Sequence, residues 1–436
     1  MIWWQTLLLF LVLLAILFAV GLPVAIAFLG VNLVGAWLFL GGEMGLMQLA
    51  RNASLSVNSF SLVPIPLFVL MGELLFHTGL AYRAIDAVER LLSRLPARLA
   101  CVTVVGGTIF ATLSGSSIAN TAMLGGTVSQ DMLRRGYSPT LSMGPAMAVG
   151  GIAVLIPPSA LAVMLGSLSG ISISQLLIGG IMPGLLMGVA FLVYVIFVGM
   201  TDPTSAPRDT APPMPFRERV TPFIRDVIPL SGIFIAVVGG MLSGIATPTE
   251  AAALGAVAAL LTTMLYRQLT FANLMKSLTE TAKVSISILF IIVASTTFSQ
   301  ILSFSGATTG LLRMVQGLDM TPFMLLLVML LIVLLLGCLI DQISIMMITL
   351  PFFIPLVHTA GIDVIWFGLL MLVAIELGLL TPPFGLLLMV MQGTIRDMPL
   401  TRIYRAAAPF IVIELVILAL MLLWPDLTLY LPRMLD

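Results

Sequence analysis

The chain has 436 residues, of which 60% are hydrophobic and only 9% charged, with a mean hydropathy of +1.17. No soluble domain of this size shows such a balance, so the sequence is read as an integral membrane protein. Basic and acidic side chains cancel at 19 each, which removes the basic footprint a nucleic-acid binder would carry. The two cysteines, Cys101 and Cys338, lie in apolar surroundings without CxxC spacing and read as small buried hydrophobes. With His77 and His358 as the only histidines there is no HExxH or paired-His motif, so nothing in the sequence points to a metal hydrolase.

Apolar stretches long enough to cross a bilayer recur from Thr6 to Val20, Leu176 to Met200 and Phe323 to Leu336 with its continuation. The first lacks a basic n-region and a small-residue cleavage site, so it reads as a mature span. Residues 1–200 hold about five crossing segments, at 4–20, 23–40, 61–80, 140–170 and 176–199. Between the third and fourth lies a hairpin, 100–135, built around ATLSGSSIANTAMLGG from Ala111 to Gly126. Gly115 breaks this run, and Ser114, Ser116, Ser117, Asn120 and Thr121 bring side-chain dipoles into an apolar setting, so it is no ordinary core helix. The arginines from Arg83 to Arg98 before it suggest an amphipathic helix along the membrane surface. Residues 201–225, TDPTSAPRDTAPPMPFRERVTPFIR, are proline-rich and charged and read as an exposed cytoplasmic linker.

Beyond the linker the pattern returns. A shift of 225 residues, the distance from Pro23 to Pro248, also carries Gly30 onto Gly255, Gly136 onto Gly361, and Pro157-Pro158 onto Pro382-Pro383. Matched leucines mean little in so apolar a chain, but matched proline pairs and glycines at one offset indicate two copies, 1–200 and 226–436. The second copy then has a hairpin at 323–361 and a broken helix at 365–392, as the first has a broken helix at 140–170. An odd number of crossings per copy inverts the second copy, provided each hairpin enters and leaves on one side.

The charges agree with this. With the linker cytoplasmic, sixteen of the 19 basic residues fall on the cytoplasmic side, leaving Arg51, Arg313 and Arg433 outside. The cytoplasmic set includes Arg94, Arg98, Arg134, Arg135, Arg208 and Arg396. All five tryptophans, Trp3, Trp4, Trp37, Trp366 and Trp424, then sit at outer segment ends, and both termini are extracytoplasmic. The expected fold is an all-α polytopic membrane protein of two inverted-topology repeats, each with about five spans and one re-entrant helical hairpin.

Candidate chemistry lies at the hairpins and the proline pairs. In GCLIDQISIM, Gly337 to Met346, an ionised Asp341 at membrane depth costs about 2.5–3.5 kcal/mol and needs a partner. A cation would serve, and so would a structural role as a helix N-cap. The prolines at 157, 158, 382 and 383 remove amide donors and free the carbonyls of Gly150 to Ile156 and of Glu376 to Thr381 for Na⁺, with the Thr381 hydroxyl beside them. The alternative is a plain kink satisfied by neighbouring helices. Glu376 is a candidate ligand or a hydrogen-bond partner of the second hairpin. Thr247-Pro248-Thr249-Glu250 is a capping-box helix start, and Glu73 with His77 share a helical face at i, i+4.

These residues carry a resemblance. SGSSIANTA from Ser114, GIAVLIPPS ending at Ser159, ATPTEAAALGA from Ala246, GCLID from Gly337 and ELGLLTPPFG from Glu376 occur in the order seen in the large membrane subunit of tripartite ATP-independent periplasmic (TRAP) transporters, the DctM-like family. The resemblance implies an elevator-type, Na⁺-coupled secondary transporter of the bacterial inner membrane. It implies two partner chains, a small four-helix membrane subunit and a soluble periplasmic substrate-binding protein, and a small carboxylate substrate such as a C4-dicarboxylate or a sialic acid. Carried onto this sequence, one Na⁺ site uses Ser114, Gly115, Ser116, Ser117, Asn120 and the backbone at Gly150, Gly151, Ile156 and Pro157. A second uses Gly337, Asp341, Glu376, Gly378, Thr381 and Pro382. Substrate would touch Ser116, Ser117, Asn120, Ser159, Gln342 or Ser344. Ala374 and Leu387 stand where the family often has asparagine, a departure that bears on substrate identity. No organic cofactor is implied.

Three rivals remain open. A single-component Na⁺/carboxylate symporter would need no binding protein. A membrane-embedded enzyme would have only Asp341 and Glu376 as a catalytic pair. A channel is less suited to two broken helices with hairpins than alternating access is.

Overall fold

A computed structural model describes residues 2–93, 95–202, 204–207, 215–395 and 398–434, apart from the Leu113 side chain. Arg94, Arg208 and Arg396, assigned above to the cytoplasmic side, lie outside the described residues. The described secondary structure is helical. It starts with α1 (Trp3–Ala19), α2 (Val24–Phe39), α3 (Glu43–Val57), α4 (Pro64–His77) and α5 (Leu80–Leu91). The hairpin follows as α6 (Arg98–Ser114), α7 (Ser117–Leu124), a wide turn at Gly125–Ser129 and α8 (Gln130–Arg134). Next come α9 (Pro139–Ala148), α10 (Gly150–Leu155), α11 (Ala160–Ser169), α12 (Ile173–Gly179) and α13 (Ile181–Thr201).

After the linker, α14 (Phe216–Pro222) leads to α15 (Ile228–Leu242), α16 (Pro248–Leu265), α17 (Phe271–Phe304) and α18 (Ala307–Gln316). The chain ends with α19 (Pro322–Gly337), α20 (Gln342–Thr359), α21 (Val364–Leu380), α22 (Leu386–Thr394), α23 (Leu400–Leu423) and α24 (Asp426–Leu429). Seven helical stretches among the described residues are long and apolar enough to cross a membrane, and 139–155 with 160–169, bent by 45°, make an eighth. The helices α1, α2, α6, α19 and α21 are apolar but shorter, at 16 or 17 residues each.

Helix starts recur 225 positions apart, the separation of Ser117 and Gln342, which open α7 and α20. Local chemistry explains the coincidence. Ser116 caps α7 by accepting from the Ala119 amide, and Asp341 caps α20 by accepting from Ile343 and Ser344. Ser138 caps α9 and Asp363 caps α21 in the same way. Gly136 and Gly361, between hairpin and broken helix, both take left-handed φ, at 86° and 66°, where a side chain would be strained. The Pro157-Pro158 and Pro382-Pro383 bonds are both cis.

The halves also differ ahead of the hairpins. Where Pro64 and Pro66 separate α3 from α4, the other half has Leu289 and Ile291, and α17 runs unbroken for 34 residues. The sequence reading left 43–57 without an element. There α3 packs on α17, with Ser56 Oγ 2.6 Å from Thr296 Oγ1 and Asn52 hydrogen-bonded to Gln300. From α2, Asn32 donates to the Ala294 carbonyl at 2.7 Å, and Phe298 meets the rings of Phe28 and Phe10 at 5.0 and 5.9 Å. The surface helix expected across Arg83 to Arg98 stops at Leu91. Ala97, at φ 49°, turns the chain so that Arg98 opens α6 and pairs with Glu89 at 3.2 Å.

The linker is anchored on both sides of its undescribed part. Ser205 accepts from the Ser138 amide at 2.9 Å, and Arg219 of α14 donates to the Leu91 carbonyl at 2.7 Å. Hydrogen bonds from Ser205, then from Thr204, hold the exposed Asp202 carboxyl below its usual range.

Candidate functional site

The first hairpin reverses because Gly115 adopts φ 62°, and it closes against the broken helix. A Cβ on Gly115 would come 3.0 Å from the Pro158 carbonyl oxygen, so the bend lies directly on the proline pair. Ser116 is committed to capping α7, which frees Ser117 to project from the next position. Ser117 Oγ donates to Glu376 Oε1 at 2.9 Å, and Gln342 Nε2 donates to Ser117 Oγ at 2.9 Å and also to Glu376. Two hairpin starts and a helix of the second half thus meet at one carboxylate, which is 2% exposed. Sequence reading had placed Ser117 and Glu376 in separate ion sites. The fold joins them, because α10 lies against both α21 and α7 and meets α7 at a glycine: a Cβ on Gly150 would lie 2.7 Å from that of Ser117.

Near this junction several buried oxygens have no hydrogen-bond partner among the described residues. They are Oε2 of Glu376, Oδ1 of Asn120, whose Nδ2 is also unpaired, and Oε2 of Glu414. Asn120 is fully buried and Glu414 is 1% exposed. The other oxygen of Glu414, Oε1, lies against Gly151, 3.3 Å from where a Cβ would be. Sequence reading missed Glu414. The signal was present as a lone carboxylate in FIVIELVILAL, which by the cost of an intramembrane charge should have ranked with Asp341. Hard oxygen atoms left without donors suit Na⁺, so Asn120 and Glu376 fit a cation, with the Ser117 hydroxyl bonded to Glu376 beside it.

The second bend is differently occupied. Asp341 accepts from the Ile343 and Ser344 amides at 3.1 and 3.2 Å and from the Ser344 hydroxyl, and so fills the N-cap role left open above. Ser344, 1% exposed and bonded to Asp341, stands behind the bend. Gly337 and Gly378 are where α19 and α21 touch: a Cβ on either would lie 2.6 Å from the other's Cα. Thr381 ends α21 and donates its hydroxyl to the Leu377 carbonyl at 2.6 Å, while Ile156 ends α10 in the same extended conformation. A cavity of about 200 Å³ separates Asp341 and Gly337 from Phe384, Leu386 and Met389 just past the proline pair.

A larger cavity of about 450 Å³ opens between the first hairpin bend and helices α4 and α17. Ser114, Gly115, Ser116 and Gln342 line it, whereas Ser117, Asn120, Ser159 and Ser344 do not. Ser159 is fully buried as the cap of α11, accepting from Ala162 at 3.2 Å. Glu73 also lines this cavity and is paired with His77 at 3.0 Å.

Residues 11–427 match the family profile described as the tripartite ATP-independent periplasmic transporter, DctM component. The chain is 33% identical over 375 residues to the C4-dicarboxylate TRAP transporter large permease protein DctM of Pseudomonas aeruginosa, covering 86% of each. It is 32% identical to the 2,3-diketo-L-gulonate TRAP transporter large permease protein YiaN of Escherichia coli, over 94% of this chain and 95% of the relative. Identity to the sialic acid TRAP transporter large permease protein SiaM of Vibrio cholerae is 30%, covering 97% of each. Among solved structures, the Alcanivorax borkumensis YdaH transporter aligns with a TM-score of 0.59 at 15% identity, over 89% of this chain and 90% of that one, a likeness of fold alone.

Proposed function

The chain belongs to the DctM family of TRAP transporter large permeases, multi-span proteins of the bacterial inner membrane, and from that premise we propose that it imports an organic acid coupled to Na⁺. In this reading a soluble periplasmic protein delivers the acid, and a small four-helix membrane subunit completes the assembly. The acid is a small carboxylate, a C4-dicarboxylate or a sialic acid as named for the relatives, or a similar acid. The two halves are inverted copies with both termini periplasmic, and the hairpins with their broken helices move as one elevator body against α1–α5 and α15–α18.

The observation that carries this reading is the junction of Ser117, Gln342 and Glu376. Positions 225 apart meet there, as two inverted copies would meet on their shared axis. Bound Na⁺ would supply the positive charge that offsets an anion in a low-dielectric midplane. Asn120 and Glu376 would hold one ion through oxygens now unpaired, with the Ser117 hydroxyl beside Glu376, and Asp341 with the Thr381 turn would hold another. Glu376 ties the two hairpin starts together, so whatever occupies one bend biases the geometry of the other.

The test is uptake of labelled organic acids into proteoliposomes holding this chain and its small subunit, with and without a Na⁺ gradient and the binding protein. Uptake requires both. Uptake without the binding protein would instead identify a single-component symporter, and uptake indifferent to Na⁺ would remove the coupling.

A further inference from the structure

Leu80, Ala84 and Val88 bury one face of α5, and its other face carries charge. The helix packs on α14 and on the wide turn Phe223–Val227 that leads into α15. Arg219 of α14 fastens the end of α5 by donating to the Arg90 and Leu91 carbonyls. Beside this turn α16 ends, and the Tyr266 hydroxyl donates to the Arg225 carbonyl. The charges that act on that phenol are those of Asp226, Arg225 and Arg83, so guanidinium groups from two separate elements converge on one spot. Neither is neutralised. The Arg83 side chain has no ion pair among the described residues, and the acids of its own helix, Asp86 and Glu89, are held by Arg90 and Arg98 at 3.0 and 3.2 Å. Arg225 Nε is 4.0 Å from Asp226 Oδ1, but the Arg225 side chain is 72% exposed and that of Asp226 17%, so the cation faces outward.

Next to these arginines in the chain are aliphatic side chains that nothing covers: Ile224, Ile228 and Leu265 are all exposed. The stretches Phe216–Leu242 and Pro248–Leu265 are both apolar enough to cross a membrane, and α15 begins where α16 ends, so the patch lies at a membrane surface. We propose that this patch binds one anionic phospholipid, with its phosphate on Arg83 and Arg225 and its acyl chains along Ile224, Ile228 and Leu265. Guanidinium groups take phosphate oxygens in pairs, and an anionic headgroup supplies the charge the patch lacks. A free phosphate would use the arginines and leave the apolar side chains without a role. Because α5 joins α4 to α6, the first helix of the hairpin, the lipid fastens the entry of that hairpin to α15 and α16.

The experiment is thermal unfolding of the purified full-length chain in detergent micelles, titrated with phosphatidylglycerol, phosphatidylethanolamine or inorganic phosphate. Phosphatidylglycerol raises the unfolding temperature saturably, about 1 M NaCl suppresses the rise, and the other two leave it unchanged. Arg83→Gln combined with Arg225→Gln weakens phosphatidylglycerol binding about thirtyfold. Arg51→Gln combined with Arg313→Gln removes two exposed arginines from α3 and α18 and leaves the binding as it was. Arg225→Gln alone, at an exposed side chain, weakens it about fivefold and serves should the first double variant fail to fold. No response to phosphatidylglycerol, an equal response to phosphatidylethanolamine or to inorganic phosphate, or equal losses in the two double variants would overturn the proposal. So would disappearance of the phosphatidylglycerol effect in the complex with the small membrane subunit, which would assign the patch to that subunit instead.

Discussion

The two hairpin bends occupy corresponding positions yet are built from different chemistry. At 116 and 117 the first bend has two serines, and at 341 and 342 the second has an aspartate and a glutamine. The contrast continues in the broken helices, where Gly151 of the first half stands at the position of Glu376 in the second. Gly150 and Gly151 have no side chains, and into the space they leave come Ser117 on one side and Glu414 on the other. One half thus supplies close approach and the other supplies the acids, since Asp341, Glu376 and Glu414 all belong to the second. On the proposed reading of two copies, one set of carboxylates suffices at their shared junction. Two sets at that depth would add like charge with nothing to balance it.

The largest expected effect comes from removing the shared group. Glu376→Ala leaves Ser117 and Gln342 without their common acceptor and deletes the one carboxylate touching both bends. Na⁺-driven uptake falls to background while the protein still inserts, as membrane fractionation and proteoliposome flux would record. Retained uptake would mean the two bends work independently. Next, Gly337→Val drives a side chain into Gly378 and costs about 1–3 kcal/mol by thermal unfolding. Gly393→Val, where a Cβ meets nothing within 4 Å, is the matched control and costs much less.

The caps sharpen the comparison further. Asp341→Ala loses the α20 cap at about 1 kcal/mol, and Asp341→Asn retains most of it, because asparagine caps as well as aspartate. If charge at the second bend matters as well as shape, Asp341→Asn keeps its unfolding temperature but loses uptake. Ser116→Ala loses cap stability alone, since no charge is removed. The smallest effect belongs to the linker. Because its carboxyl is held below the ordinary 3.8, Asp202 contributes stability above that value and loses it as pH falls through the lowered one. Hydrogen exchange at the Thr204 amide should be faster in Asp202→Ala than in the parent at neutral pH. Equal rates would mean that this turn does not depend on the carboxylate.

Much of the local structure was legible in the sequence for local reasons. Thr247-Pro248-Thr249-Glu250 is read as a capping box, and the structure has Thr247 and Glu250 capping each other across the start of α16. Glu73 and His77, four apart on one helix, are paired. The break at Gly115 follows from a residue that tolerates positive φ. Asp341 was legible only as a pair of alternatives, and the cap geometry selected one of its roles without excluding a second. The helix α3 escaped notice because its 43–57 stretch is neither long nor uniformly apolar, and its partners Gln300 and Thr296 are more than 200 positions away.

The sequence by itself determined the solvent, the helices and their ends. Hydropathy over twenty residues, proline's missing amide and glycine's freedom all act within a turn or two of chain. Only the tertiary structure decided that Glu376 belongs to Ser117, 259 residues away, that Glu414 lies on Gly151, and that Gly337 exists for Gly378. Those pairings depend on which helix faces pack, and a side chain of one hydrogen bond's length carries no mark in sequence of the partner that packing will bring to it.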